Sequence, residues 1–268
     1  NGFSHQFLHW QKMKDEGKEF KPIFGVEAYF LPSIDEWRDD YDRIKEDKKL
    51  AKSLAKQGDT SGATVEDEDA SKKAIKSVIN RRRHLVLLAQ NQTGLNNLFK
   101  LISASYREEN FYRYPRVDYK MLAEHSEGVI AASACLGGPY AGNYWEHRDE
   151  GPEAVREAMR ETTRRFVEVF GDRWYGELQW NNIVEQHELN QHIIEVCKEF
   201  DVTLISTADS HYPNREAWKD RELYKRLGWL GKGTPAWAED NTELPPGVEE
   251  IGYELYPKNG NEIWESYK

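Results

Sequence analysis

Cysteine is scarce in this chain. Its 268 residues include two, Cys135 and Cys197, which excludes a disulfide framework and makes the reducing cytoplasm the expected location. Long apolar runs are missing too: no stretch approaches the length of a membrane span, and the N-terminus lacks the basic-then-apolar layout of a signal peptide, so membrane and secreted classes are set aside. Nor is basic charge in excess. The 37 Lys and Arg against 47 Asp and Glu leave a formal net charge of −10, whereas a free-standing nucleic-acid binder usually carries a basic face. Any nucleic acid handled here is therefore met through metal ions or neighbouring domains. A Walker phosphate loop, a Gly-x-Gly-x-x-Gly after a strand and a Gly-x-Ser-x-Gly elbow are also absent, which disfavours nucleotide-cofactor and serine-hydrolase chemistry.

What is present suffices for a large core. Hydrophobic residues make up 38% of the chain and aromatic residues 12%, too much core material for a disordered polymer. Short apolar runs alternate with longer segments of helical period, the sign of an α/β fold with mostly parallel strands. Strands are predicted at 22–30, 85–89, 129–133, 174–179 and 202–207, and helices at 3–15, 94–109, 152–170 and 184–200. Leu85–Ala89 and Val202–Thr207 read as near-continuous apolar strands buried on both faces. Thr93 is the expected N-cap of the second helix, and Pro152 suits the first turn of the third.

The segment from Asp35 to Arg83 breaks this rhythm. It holds 13 Lys and Arg and 12 Asp and Glu, a net of +1, so the rest of the chain carries −11. An inserted helical hairpin with solvated faces is expected there. From 213 to 268 the sequence turns Trp-rich and then Pro- and Gly-rich, and reads as a tail leading toward something further along. The chain begins at Asn1 without Met, inside a predicted helix, as a fragment would.

The stretch Ser206-Thr207-Ala208-Asp209-Ser210-His211-Tyr212 directly follows an apolar strand, the position where α/β proteins display functional groups. Asp209 and His211, two residues apart, can point there into one cavity, although an Asp that caps a helix beside an incidental His has the same spacing. Cys135 follows a second such strand and precedes Gly137-Gly138; it is either a soft ligand suited to zinc or a small buried residue. Glu27 places a carboxylate inside an otherwise apolar strand, where charge is costly unless paired or metal-bound, unless it faces solvent at a sheet edge. His84 stands just before its strand and reads as ligand or cap. Together these five form a plausible divalent-metal constellation. His5, His9, His125, His147, His187 and His192 lack such placement, and Cys197 lies on an apolar helix face as core.

The blocks Lys21-Pro22-Ile23-Phe24-Gly25-Val26-Glu27-Ala28-Tyr29, His84–Ala89 and Asn91-x-Thr93-Gly94-x-Asn96-Asn97-Leu98 resemble the PHP (polymerase and histidinol phosphatase) domain of the bacterial DNA polymerase III alpha subunit. So do Tyr114-Pro115-Arg116-Val117-Asp118, Ser126-Glu127-Gly128, Ser133–Gly138, Phe170–Arg173, Glu177-Leu178-Gln179 and Ala208–Tyr212, in that order. The resemblance implies a distorted seven-stranded β/α barrel over 1–212, its N-terminal part missing and 35–83 inserted, followed by the 213–268 tail leading toward polymerase domains. It implies a divalent cluster of zinc, manganese or iron, with Glu27, His84, Cys135, Asp209 and His211 as ligands and Asp209 and His211 catalytic. Further family ligands, a His-x-His motif, an Asp and an Asp-His pair, are expected just ahead of Asn1, which leaves the cluster incomplete in this fragment. Arg116 is either a phosphate-holding group or part of a structural ion pair. The implied activity is metal-dependent 3′-to-5′ exonucleolytic phosphodiester hydrolysis within a DNA-directed DNA polymerase. Alternatives are a stand-alone phosphatase of the histidinol phosphatase kind and a non-catalytic scaffold. Implied partners are DNA, the remaining polymerase domains of the same chain, and a separate proofreading exonuclease or sliding clamp.

Overall fold

Residues 2–56, 78, 81–221, 224 and 254–268 are described by the structure, a computed structural model. They form a mixed α/β fold whose chain divides into two units. Among the described residues no helix is long and apolar enough to cross a membrane.

Unit 1 comprises Asn1–Ser133, Gly137–Pro139 and Arg164–Trp174. It begins with the largely exposed helix α1 (Gly2–Asp15). Strands β1 (Gly25–Phe30) and β2 (Arg83–Ala89) run antiparallel, with Gly25 opposite Leu88 and Phe30 opposite Arg83. On its other side β2 pairs antiparallel with β5 (Val129–Ala132), Val86 opposite Ala132. A two-residue pair, β3 (Phe111–Tyr112) and β4 (Tyr114–Pro115), forms a separate hairpin. The mostly parallel arrangement expected from the alternation of runs does not hold in this unit. The long insertion between β1 and β2 returns the chain alongside in the opposite direction, so no crossover helix is required. Leu85 and Leu87 are fully buried while Val86 and Leu88 are half-buried, the alternation of a sheet with one face on the core rather than the continuous burial expected for β2.

Helix α3 (Gln92–Ser105) is capped by Asn91, not by Thr93: Asn91 is extended and its Oδ1 accepts the Gly94 N–H at 3.0 Å, the geometry that satisfies a helix-start donor. Gly94 is obligatory, because a Cβ there would lie 1.7 Å from the Gly128 carbonyl oxygen. Helix α4 (Tyr119–Glu124), which sequence periodicity did not reveal, is capped by Asp118. The core is aromatic: Phe166 stacks on Trp174 at 4.1 Å, with Phe30 and Tyr119 packed against Phe166.

Of the charged insertion, the first arm is a helix, α2 (Ile34–Lys56), while residues 57–77 and 79–80, where the second arm was expected, lie outside the described residues. The start of α2 is amphipathic rather than wholly solvated. Ile34 and Trp37 are buried with Leu31 and Val78, and the Trp37 indole donates to the Val78 carbonyl at 2.9 Å.

Unit 2 comprises Ala134–Leu136, Tyr140–Thr163 and Tyr175–Lys268. Here β6 (Trp174–Leu178) and β7 (Thr203–Ser206) are parallel, Tyr175 opposite Thr203 and Leu178 opposite Ser206. Helix α7 (Val184–Glu199) is their crossover, as a parallel pair demands. Helices α5 (Pro139–His147) and α6 (Pro152–Phe170), the latter passing into unit 1 at Arg164, supply the rest of the framework. Tyr140, Met159, Leu189, Ile193, Val196 and Cys197 fill the core. Thr203, Leu204 and Ser206 of β7 are exposed, so this strand is not buried on both faces as its apolar run suggested. The described end of the chain packs within unit 2. Leu255 and Tyr256 are buried with Tyr212, and the Leu255 carbonyl accepts from the His211 N–H at 2.8 Å.

The five main strands and the β3/β4 hairpin thus support an α/β class. They do not establish a closed seven-stranded barrel.

Candidate metal and phosphoester site

In unit 1, Glu27 lies on the exposed face of β1 and His84 is the second residue of β2, inside the strand rather than before it. In the β1–β2 register Glu27 stands opposite Val86 and His84 opposite Tyr29, so the two side chains are diagonal neighbours on one face. The imidazole Nδ1 is 2.9 Å from Glu27 Oε1. A carboxylate only accepts, so Nδ1–H donates, and in the neutral ring Nε2 is the nitrogen able to bind a metal. Gly137 packs against this imidazole: a Cβ on it would lie 3.2 Å from His84 Nδ1, and its carbonyl accepts the His84 N–H at 2.8 Å. The glycine after Cys135 thus permits a close backbone approach.

In unit 2, Asp209 and His211 lie just beyond β7. His211 Nδ1 is 2.6 Å from the Asp209 main-chain oxygen and 3.9 Å from its carboxylate. The carbonyl can only accept, so Nδ1–H is again the donor and Nε2 is the nitrogen that a neutral ring would offer a metal. Asp209 has φ +45, a left-handed conformation that Asp tolerates better than most residues. Cys135 is half-buried, and its preceding residue, Ala134, has φ +60. Left-handed backbone at an alanine costs about 1–2 kcal/mol and persists where the surroundings impose it. Here the buried carboxylate of Glu177, on β6, accepts the Ala134 N–H.

Glu177 lies within β6 and Gln179 directly follows its last residue, Leu178. Glu177 holds the loop of Cys135, and the Gln179 amide nitrogen lies 3.5 Å from Thr207 Oγ1, two residues before Asp209. The end of β6 therefore borders both loops that carry candidate ligands in unit 2. Neither Glu177 nor Gln179 was marked as a chemical group from the sequence beyond its place in a family block. The available signal was polar residues two apart at the end of an apolar strand, the same kind of signal that marked Glu27.

Arg116 is fully buried. Its Nη1 donates to the carbonyls of Tyr112 at 3.0 Å and Tyr114 at 2.9 Å, and its guanidinium lies 4.0 Å from the Trp37 ring centre. Burial, helped by nearby Arg82, pushes its pKa down to about 10. This is the setting of a structural arginine, bracing the β3/β4 hairpin against α2, and it does not present the group to a phosphate in solvent. Cys197 is core as expected: fully buried, its thiol is pushed up to about 12 by desolvation. Among the described residues no group of three or more His, Cys, Asp or Glu side chains stands in a metal-holding arrangement. What each unit carries is one acid–imidazole pair, with Cys135 added in unit 2. A carboxylate oxygen, an imidazole Nε2 and a thiolate are donors that suit zinc, manganese or iron.

Comparison with known proteins converges on one family. The model of the PHP domain matches residues 3–181. Over 210 residues, 78% of the chain, it is 36% identical to the DNA polymerase III subunit alpha of Aquifex aeolicus, and over 247 residues, 92% of the chain, 35% identical to that of Borreliella burgdorferi. The similarity to the Helicobacter pylori (strain J99) subunit is 33% over 220 residues. The aligned parts cover 15%, 17% and 14% of those three proteins, so the chain spans a small part of their length. With two thirds of its residues inside the family model and these relatives along most of its length, the chain belongs to the PHP domain family.

Proposed function

We propose that this chain is the PHP module of a replicative DNA polymerase III alpha subunit and that it hydrolyses phosphodiester bonds at DNA 3′ ends with divalent metal. The observation that carries the reading is the repeated pairing of a carboxylate residue with an imidazole whose Nδ1 is already committed, Glu27 with His84 and Asp209 with His211. Such pairing fixes the ring through Nδ1 and leaves Nε2 as the nitrogen for a metal in this reading. In this reading Glu27 and His84 supply metal ligands in unit 1, and Asp209, His211 and Cys135 supply them in unit 2. A divalent cluster, when bound, lowers the pKa of water and neutralises charge on phosphoryl oxygens. The Glu27 carboxylate and the Asp209 main-chain oxygen hold the imidazoles in register, both carboxylates add negative charge that retains cations, and Glu177 fixes the loop that presents Cys135. Arg116 has no part in substrate contact. The acidic balance outside the insertion, −11, accords with a metal-loaded site that meets polyanionic DNA through cations. The alpha subunits to which it is similar are polymerases, so DNA, later polymerase domains of the same chain, a separate proofreading exonuclease or sliding clamp, and a cytoplasmic setting complete the proposal.

The test compares the protein with Asp209→Asn on single-stranded DNA with a free 3′ end, in manganese or zinc and in EDTA. Metal-dependent release of nucleotides, lowered by several orders of magnitude in Asp209→Asn with an unchanged melting temperature, is the expected result. Equal background in both proteins favours a scaffold. Hydrolysis of histidinol phosphate but not of DNA favours a stand-alone phosphatase.

A further inference from the structure

Four side-chain amides are buried around the end of β6: Gln179 (4% exposed), Asn181 (3%), Gln186 (2%) and Asn190 (7%). Three of them use both ends. Asn181 donates to Gln186 Oε1 at 3.0 Å and accepts from the Glu254 N–H at 3.1 Å; Gln186 donates to Asn190 Oδ1 at 3.0 Å; Asn190 donates to the main-chain oxygen of Gln179 at 2.8 Å. This relay from the β6–α7 loop and α7 clamps the backbone of Gln179. The Gln179 side chain is different. Among the described residues its nitrogen makes one long contact, 3.5 Å to Thr207 Oγ1, and its Oε1 has no partner.

A buried amide oxygen left unmet costs about 1–3 kcal/mol, and native folds rarely leave one without cause. Rigid support of the main chain combined with an open side-chain end is the arrangement of a group kept ready for a ligand. The Gln179 side chain reaches Thr207, two residues before Asp209, at the end of the strand whose Glu177 holds the loop of Cys135. Resting on the reading of that region as a phosphoester site, we propose that Gln179 is a substrate-positioning residue whose Oε1 accepts a hydrogen bond from an O–H group brought into the site. In a 3′-end hydrolase two groups have that chemistry, the terminal 3′-hydroxyl of the DNA strand and the attacking water.

The decisive variant is Gln179→Met, close in shape and without the amide. Because it removes an unmet polar group, its melting temperature in EDTA should equal or exceed that of the parent protein. In manganese, the protein and the variant are compared on one oligonucleotide ending in 3′-hydroxyl or 3′-deoxy. If the hydroxyl is the substrate's, the parent cleaves the 3′-hydroxyl end about 10-fold or more faster and Gln179→Met loses that preference, mainly through KM. If it is the water's, Gln179→Met lowers kcat on both ends alike with KM unchanged. A fall in melting temperature accompanied by a proportional loss of rate on both ends makes Gln179 a packing residue and overturns the proposal, as does a variant whose rates and preference match the parent. Should the parent show no metal-dependent cleavage, the phosphoester reading fails. The positioning role, which rests on that reading, is then overturned with it, whereas cleavage by the parent with rates and preference unchanged in Gln179→Met overturns the positioning role alone.

Discussion

His84 and Glu27 sit diagonally across the antiparallel β1–β2 pair, with imidazole Nδ1 2.9 Å from carboxylate Oε1. Neither is deeply buried, their side chains being 34% and 48% exposed, so solvent screens the attraction. An exposed pair of this kind is worth about 0–1 kcal/mol. Its weight for stability is small, and its consequence is the orientation of the ring.

Glu27→Gln keeps the shape and removes the charge that holds the tautomer. Manganese affinity measured by calorimetry should fall about 10–100-fold, the usual effect of losing a carboxylate behind a ligating histidine, while the melting temperature in EDTA stays close to that of the parent. Unchanged affinity would separate this pair from any metal site.

At Ala134 the left-handed φ of +60 is a cost that glycine does not bear. Ala134→Gly should stabilise the protein by about 1 kcal/mol, or about 2–4 °C in melting temperature for a chain of this size, because the N–H that Glu177 holds is retained. Ala134→Val should do the opposite. A destabilising glycine would show that the loop imposes no strain.

Gly176 on β6 leaves no room for a side chain: a Cβ would lie 2.5 Å from Cys197 Sγ and 3.0 Å from Leu204 Cδ2. Gly176→Ala should cost about 1–3 kcal/mol by overpacking, read from denaturant unfolding. Cys197→Ala in the same chain should recover part of the loss by removing the sulfur, a coupling that a double-mutant cycle detects. Additive losses would place the clash elsewhere.

Arg160 links α6 to α7, with Glu153 at 2.6 Å and Glu199 at 2.7 Å. The Arg160 hydrogen bonds hold both carboxyls below their ordinary value of 4.5. Groups with depressed pKa stabilise the fold above the unfolded value and lose that effect as pH falls through the folded one. Arg160→Met should therefore lower the melting temperature at neutral pH, more at low salt than at high salt because these groups are exposed. The difference should shrink and vanish as pH falls through the lowered folded pKa values and both carboxyls become protonated. A difference that persists in acid would assign the effect to packing of the Arg160 stem.

The elements with the strongest local signal were legible in the residues. Pro152–Phe170 begins and ends as its proline and apolar period indicate, and β6 and α7 lie within a residue of expectation at each end, because burial of a periodic face is written in composition. Helix α4 is six residues long, too short to show a period. The direction of β1 and β2 was not legible either, since parallel and antiparallel strands share the same apolar alternation and the connection alone decides.

The candidate site divides along the same line. Glu27, Asp209 and His211 stood out in sequence order alone as ionisable groups inside or just past an apolar strand, and the structure places Glu27 on the exposed face of the edge strand β1, where its charge is solvated. What only the tertiary structure decided is how such groups are spent. Arg116, one chemical group with two readings, is consumed by carbonyls and Trp37 inside the core. Gln179, unremarkable in sequence beside three other amides, is the one whose oxygen is left unmet among the described residues. Hydrogen-bond satisfaction depends on which donors and acceptors meet across elements far apart in the chain, and no local pattern of residue types carries that information.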